Sequence, residues 1–139
     1  MNYEVLIVDD HPLYRLALNG AVAAACMNAK IFEADSVGGL FDALDQHPRV
    51  DLLLLDLNLP GANGFNALAH LRGSRPELPI IVISDCADIP TTIQVFKAGA
   101  LDFLMKPCNS DLLLCAIRQS LTRSRVTLEQ EMEMQNLQS

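Results

Sequence analysis

Four places in this 139-residue chain put reactive side chains directly behind a short apolar run. Asp9-Asp10 follow Val5-Leu6-Ile7-Val8, and Asp56 follows Leu52-Leu53-Leu54-Leu55. Ser84 follows Ile80-Ile81-Val82-Ile83, and Lys106 follows Phe103-Leu104-Met105. Three carboxylates brought together repel one another and favour a hard divalent cation. Mg²⁺, which prefers octahedral oxygen ligands and keeps several waters, suits a few carboxylates plus a phosphate. An aspartate such as Asp56 can attack phosphorus and form an acyl phosphate. A cation and Lys106 would neutralise charge on the phosphoryl oxygens in the transition state, and the Ser84 hydroxyl can hydrogen-bond one of them. Each residue alone has a plainer reading: a turn or helix cap for Asp9-Asp10, a loop for Asp56, a helix cap for Ser84, a solvated lysine for Lys106. None of these explains why four run ends carry such groups together.

The elements that must position these residues are legible in outline. Besides the four runs, Ile31-Phe32 forms a fifth, followed by Asp35 and Ser36. Three of the runs are apolar without alternation, which suits strands covered on both faces of a parallel sheet. Leucine is not β-branched, so the strand at Leu52–Leu55 rests on its length and flanks. Between the runs lie helical patterns. Pro12 suits a first helical turn and precedes Leu13, Leu16, Ala17, Ala21 and Ala24. Ser36 can cap a helix whose apolar face is Leu40, Phe41 and Leu44. A third helix is expected from about Gly64, with Phe65, Leu68 and Leu71, and a fourth over Thr91 to Lys97, ending near Gly99. A fifth starts near Asn109 or Ser110 and carries Leu112, Leu113, Ala116, Ile117 and Leu121. Strand and helix alternate throughout, which predicts an α/β sandwich with a parallel sheet. Sites on such sheets form beyond the carboxyl ends of the strands, where the reactive residues fall. Residues 1–122 read as one domain, and 123–139 as a polar tail, a helical extension or linker.

Composition narrows the function. Half of the chain is hydrophobic, enough for a core without disulfides. A formal charge of −7 makes the chain a poor partner for nucleic acid. No apolar run approaches the roughly 20 residues of a membrane span, and no secretory signal is visible. Cys26, Cys86, Cys108 and Cys115 form no CxxC pair and no metal-ligand spacing with histidine, as expected of reduced thiols in a cytoplasmic protein. His11 adjoins the acidic pair without being read as a ligand, and His47 and His70 are read as surface residues. No glycine-rich loop follows the first strand, which argues against nucleotide binding.

Together, Val8-Asp9-Asp10-His11-Pro12, Leu55-Asp56-Leu57-Asn58-Leu59-Pro60, Gly64, Ser84, Ala98-Gly99-Ala100 and Lys106-Pro107 resemble the receiver domain of bacterial two-component response regulators. The resemblance covers roughly residues 1–122. It implies the flavodoxin-like (βα)5 three-layer sandwich with strand order 2-1-3-4-5. It implies that Asp56 is phosphorylated by a histidine kinase in a Mg²⁺-dependent reaction that the domain itself helps to catalyse. Asp9, Asp10, Asp56 and the Asn58 main-chain carbonyl would form the metal site, and Ser84 and Lys106 would bind the phosphoryl group. Phe103 falls at the family's aromatic switch position, and the Lys106-Pro107 peptide is expected to be cis. Phosphorylation would switch an output, for example by homodimerisation through the surface of the fourth helix, last strand and fifth helix. His11-Pro12-Leu13-Tyr14-Arg15 also resembles receivers that carry a C-terminal helix-turn-helix of the LuxR/NarL type.

Two positions depart from the family pattern. Asp85 follows Ser84 where a small residue is usual, and its carboxylate adds negative charge near the site. Asn63 replaces the commoner aspartate before Gly64, a change that a turn tolerates. Among other classes, a haloacid dehalogenase-type phosphatase also forms an aspartyl phosphate with Mg²⁺, but it needs Asp-x-Asp after its first strand so that the second carboxyl protonates the leaving group. Here Asp9 and Asp10 are adjacent, and Asp56 has Asn58 at the second position after it. A receiver-like module that never meets phosphate usually lacks the pocket residues, and this chain keeps all of them.

Overall fold

A strand that is apolar on both sides is stable only where both faces are covered. A computed structural model, which describes residues 3–59, 64–85, 88–106 and 111–122, gives the three all-apolar runs that cover. The elements are β1 (Glu4–Val8), α1 (Pro12–Ala25), β2 (Lys30–Ala34), α2 (Val37–Gln46), β3 (Leu52–Asp56), α3 (Gly64–Ser74), β4 (Ile80–Ser84), α4 (Ile89–Lys97) and β5 (Asp102–Met105). A further helix, α5, is described over residues 111–122. The strands form one sheet in the order β2-β1-β3-β4-β5, every neighbouring pair parallel, which is the flavodoxin-like order expected. The strands β3 and β4 and all but the first residue of β1 are buried, whereas β2 and β5 lie at the edges and are partly exposed. The leucine run is therefore a strand. Its weak β preference is overridden by burial between two helical layers.

The period of two along the strands divides the core. Leu6, Val8, Leu53, Leu55, Ile80 and Val82 pack with Leu40 and Leu44 of α2, Leu68 and Leu71 of α3, and Val95 of α4. Val5, Ile7, Leu52, Leu54, Ile81 and Ile83 pack on the other side with Leu18 and Val22 of α1 and Leu113, Ala116, Ile117 and Leu121 of α5. Full burial of each such valine, leucine or isoleucine side chain is worth about 1.5–3 kcal/mol.

The helix starts are set by local chemistry. Ser36 caps α2 as expected, its Oγ accepting from the Gly39 amide at 3.0 Å. The helix α4 begins at Ile89, earlier than the apolar pattern indicates, because Asp88 is its cap: a carboxylate oxygen accepts from the Thr91 amide at 2.7 Å and Pro90 fills the first turn. Hydrogen bonding from the Thr91 side chain, and then from its amide, holds the Asp88 carboxyl below its ordinary range. With Asp88 capping α4, Ser84 is left to the sheet end. After α4, Gly99 takes φ 106°, the left-handed region that favours glycine, and Arg72 reaches over from α3 to donate to its carbonyl at 2.6 Å. The expected start of α5 near Asn109 or Ser110, the Lys106-Pro107 peptide, Asn63, Cys86, Cys108 and the tail 123–139 lie outside the described residues.

Candidate functional site

Strand register brings the reactive residues together. Val8 pairs with Leu55, so Asp9 and Asp56 stand level just beyond. Asp56 pairs with Ile83 and Ser84 with Met105, so Ser84 and then Lys106 follow one step further across the sheet. Backbone bonds from Asp9 to Ala34, Leu57 to Ile83 and Lys106 to Ser84 continue the ladder past the strand ends and hold these residues in place. Asp9 continues the parity of Val5 and Ile7, and Asp56 that of Leu52 and Leu54, so both belong to the α1/α5 face. Lys106 stands two residues beyond Leu104, which packs on that same face. Ser84 continues the parity of Ile80 and Val82 on the opposite face, and Phe103, half-buried directly across from Val82, shares it.

The charged side is closely knit. Asp9, Asp56 and Ser84 are all buried. The Lys106 ammonium lies 2.8 Å from Asp9 Oδ2 and 3.3 Å from Asp56 Oδ2, and 4.4 Å from the centre of the Tyr14 ring. The Asp9 contact is close but poorly aligned, so that oxygen is ion-paired without a well-formed hydrogen bond. Asp9 Oδ1 accepts from the His11 amide at 2.8 Å, and Asp56 Oδ1 from the Asn58 amide at 3.0 Å. Burial raises the Asp56 carboxyl above its ordinary range. The Asn58 amide and the Lys106 charge oppose this, and the neighbouring Asp9 charge adds to it. Burial alone would lower the Lys106 ammonium, but the adjacent Asp9 and Asp56 carboxylates outweigh it and raise it.

The other side is hydrogen-bonded and open. The Asn58 side-chain amide donates to Ser84 Oγ at 3.1 Å and, in a short contact, to a carboxylate oxygen of the exposed Asp85.

Asp10 is partly exposed at the rim, with its carboxylate 3.8 Å from His11 Nδ1. Among the described residues, Asp9, Asp10 and His11 offer donor atoms within 4.8 Å of one another. An acidic cluster able to hold a metal ion is thus present, and Asp56 stands behind it across the Lys106 ammonium. The fit to a hard cation lies in the donor set, chiefly carboxylate oxygens with Asp10 at the open rim.

Three contributors escaped the sequence reading. Tyr14 lies against the Lys106 ammonium, and Arg15 donates to the Asp9 carbonyl at 2.7 Å while pairing with Glu33 at 3.3 Å. Both belong to the first turn of α1, which returns over the end of β1; Pro12 as the helix start was the available signal. The third is the Asn58 side chain, since only its main-chain carbonyl was expected to matter. His47 is half-buried, stacked on Phe32 with ring centres 3.6 Å apart, whereas His70 is exposed as expected, meeting Phe41 edge-on. Cys26 and Cys115 are free thiols. No described helix is long and apolar enough to cross a membrane.

A family model described as the response regulator receiver domain matches residues 5–118. The chain belongs to that family. Receiver domains are the phosphorylation-switched modules of two-component response regulators. The chain is 33% identical over 119 residues to the glycerol metabolism activator of Pseudomonas putida, covering 86% of this chain and 54% of that protein. It is 33% identical over 126 residues to the C4-dicarboxylate transport transcriptional regulatory protein DctD of Pseudomonas aeruginosa, covering 91% of this chain and 27% of that one. The chain thus spans about half, or less, of these relatives. Among solved structures, NtrX from Brucella abortus superposes with a TM-score of 0.83 at 26% identity, covering 94% of this chain and 29% of that chain.

Proposed function

We propose that Asp56 is the phosphoacceptor of this receiver domain, taking a phosphoryl group from a histidine kinase or a small acyl-phosphate donor. The observation that carries this reading is the buried Asp56 carboxylate at the end of β3, 3.3 Å from the Lys106 ammonium and beside an acidic cluster open at the rim. An oxygen of Asp56 forms the new bond to phosphorus. The bond from phosphorus to the donor's imidazole nitrogen or acyl oxygen breaks, and its electron pair leaves with the donor. The Lys106 ammonium meets a phosphoryl oxygen as charge develops, and the Ser84 hydroxyl donates to another. Asp9, Asp10, Asp56 and the Asn58 main-chain carbonyl are the residues that would hold Mg²⁺, which when bound supplies charge neutralisation on the phosphoryl oxygens. The same groups would serve the domain's own dephosphorylation.

Incubation with an acyl-phosphate donor and Mg²⁺, followed by intact mass measurement, tests the reading. A Mg²⁺-dependent phosphoryl adduct is expected in the wild type and none in Asp56→Asn. An adduct that survives this substitution would overturn the assignment. Asp10→Ala should weaken Mg²⁺ binding more than Asp9→Ala, because Asp10 stands at the open rim while Asp9 is engaged by Lys106.

The response would leave the site through the face that Ser84 shares with Phe103. Movement of Ser84 toward the phosphoryl group makes room for Phe103 to turn inward, with a burial gain to the aromatic ring. The adjoining surface carries exposed Ile93, Phe96, Met105 and Leu112. Homodimerisation through α4, β5 and α5 is the proposed consequence, with transcription through a DNA-binding domain beyond residue 139 as the proposed output. Sedimentation with and without beryllium fluoride should show a mass increase in the wild type that Ser84→Ala loses.

A further inference from the structure

We propose that Asp85 is a positioning residue that acts through the Asn58 side chain to fix which way the Ser84 hydroxyl points; this rests on the reading of Asp56 as phosphoacceptor.

The geometry is a three-residue chain across the loops after β3 and β4. The Asn58 amide nitrogen has two hydrogens and meets two acceptors, Ser84 Oγ at 3.1 Å and a carboxylate oxygen of Asp85. The two ends of an asparagine amide are interchangeable in shape, so the partners decide its orientation. An ionised carboxylate only accepts. It therefore holds the nitrogen end of Asn58 toward itself and so toward Ser84, and the charge-assisted contact is stronger than a neutral one. Ser84 Oγ then receives a hydrogen bond, and its own hydrogen must go to a different acceptor. Phosphoryl oxygens are acceptors only. The arrangement thus presents Ser84 as a donor at the moment a phosphoryl group reaches Asp56. Without the carboxylate, Asn58 can turn its oxygen toward Ser84 and occupy the hydroxyl hydrogen.

This role has the opposite sign to simple repulsion. A negative charge beside an incoming anion should slow phosphorylation, and its removal should speed it. The orientation role requires that removal slow it. Asp85 is exposed, so its substitution leaves the core intact.

The experiment is the rate of adduct formation from an acyl-phosphate donor at saturating Mg²⁺, read by intact mass, in wild type, Asp85→Ala, Asp85→Asn and Asp85→Glu. The expected result is adduct formation about fivefold slower in Asp85→Ala, the factor of one ordinary hydrogen bond. Asp85→Glu keeps an acceptor-only carboxylate and should retain more of the rate than Asp85→Asn, although asparagine matches aspartate in shape. In a Ser84→Ala background, Asp85→Ala should have no further effect. In ¹⁵N spectra the Asn58 side-chain amide signals should shift in Asp85→Ala, with or without donor. Unchanged or faster phosphorylation in Asp85→Ala overturns the proposal, as does an undiminished effect in the Ser84→Ala background. A wild type that forms no adduct overturns the Asp56 reading and this inference with it; a wild type that does, beside unaltered Asp85 variants, removes this inference alone.

Discussion

The two faces of the sheet are alike in the core and unlike at the site. Through the core, Leu54 and its row pack on α1 and α5, and Leu55 and its row pack on α2, α3 and α4, all fully buried. At the carboxyl end, the α1/α5 face carries Asp9, Asp56 and Lys106, locked by ion pairs and leaned on by Tyr14. The opposite face carries Ser84 and Phe103, one hydrogen-bonded to a surface asparagine and the other half-buried on an edge strand. A buried charge with a close partner cannot move far without losing it. A hydroxyl or a half-buried ring exchanges one partner for another at modest cost. The difference fits the proposal that chemistry belongs to one face and response to the other, with Asn58 touching both: its backbone amide donates to Asp56 and its side chain to Ser84.

The largest effect tests the symmetry of the core. Leu54→Ala and Leu55→Ala should each destabilise by about 2–5 kcal/mol, because each leaves a cavity between sheet and helices. Urea unfolding measures both, and values differing by more than about 2 kcal/mol would show that the faces already differ in their packing. The asymmetry of the site is tested next. Lys106→Met keeps the apolar stem and removes the charge between two buried carboxylates. It should cost about 2 kcal/mol at neutral pH, less than a deep pair because the site opens to water. Ser84→Ala should cost less than about 1 kcal/mol, since the Asn58 amide it abandons can turn to solvent. Equal costs for the two would dissolve the distinction between a locked and a movable face.

The movable face is also pinned, away from the site. Arg72 donates to the carbonyls of Pro76 and Gly99, tying α3 to the turn between α4 and β5. Gly99→Ala forces a left-handed backbone on alanine and drives its Cβ into the Arg72 side chain. The expected cost is about 1–2 kcal/mol, together with faster amide exchange in β5 than in β3. Unchanged exchange in β5 would mean that the turn does not restrain this face.

Most of the fold was legible, because three of the strand runs are apolar on both sides, which suits a covered parallel sheet. Register then brought Asp9, Asp56, Ser84 and Lys106 to one end, so the candidate residues could be named from their positions after the runs. The partners of those residues were less accessible. Asp88 rather than Ser84 caps α4, its carboxylate accepting from the Thr91 amide. The ring of Tyr14 and the Asn58 side chain reach the site from a helix turn and a loop, whose directions no periodicity encodes. Asp85 was readable only as a charge, because its hydrogen-bond partner lies 27 residues away in sequence.

The smallest effect concerns pH, and its sign separates the two charges on the locked face. Asp56 titrates above the ordinary carboxylate value of 3.8, chiefly because burial disfavours its charge. At neutral pH the ionised group therefore subtracts from stability. As pH falls through the folded value toward 3.8, the native state takes up a proton that the unfolded chain does not yet bind, and the subtraction is relieved. Lys106 is raised above 10.5, so its contribution is complete below that value and is lost only as pH rises through the folded one; it adds no slope in the acidic window. Asp56→Asn should thus be more stable than wild type at neutral pH, and the advantage should shrink as the solution is acidified. Urea unfolding of both proteins from about pH 8 to about pH 4 gives the difference directly. An advantage that grows on acidification would mean that Lys106 holds Asp56 below its ordinary value, and that ion pairing rather than burial governs the Asp56 carboxyl.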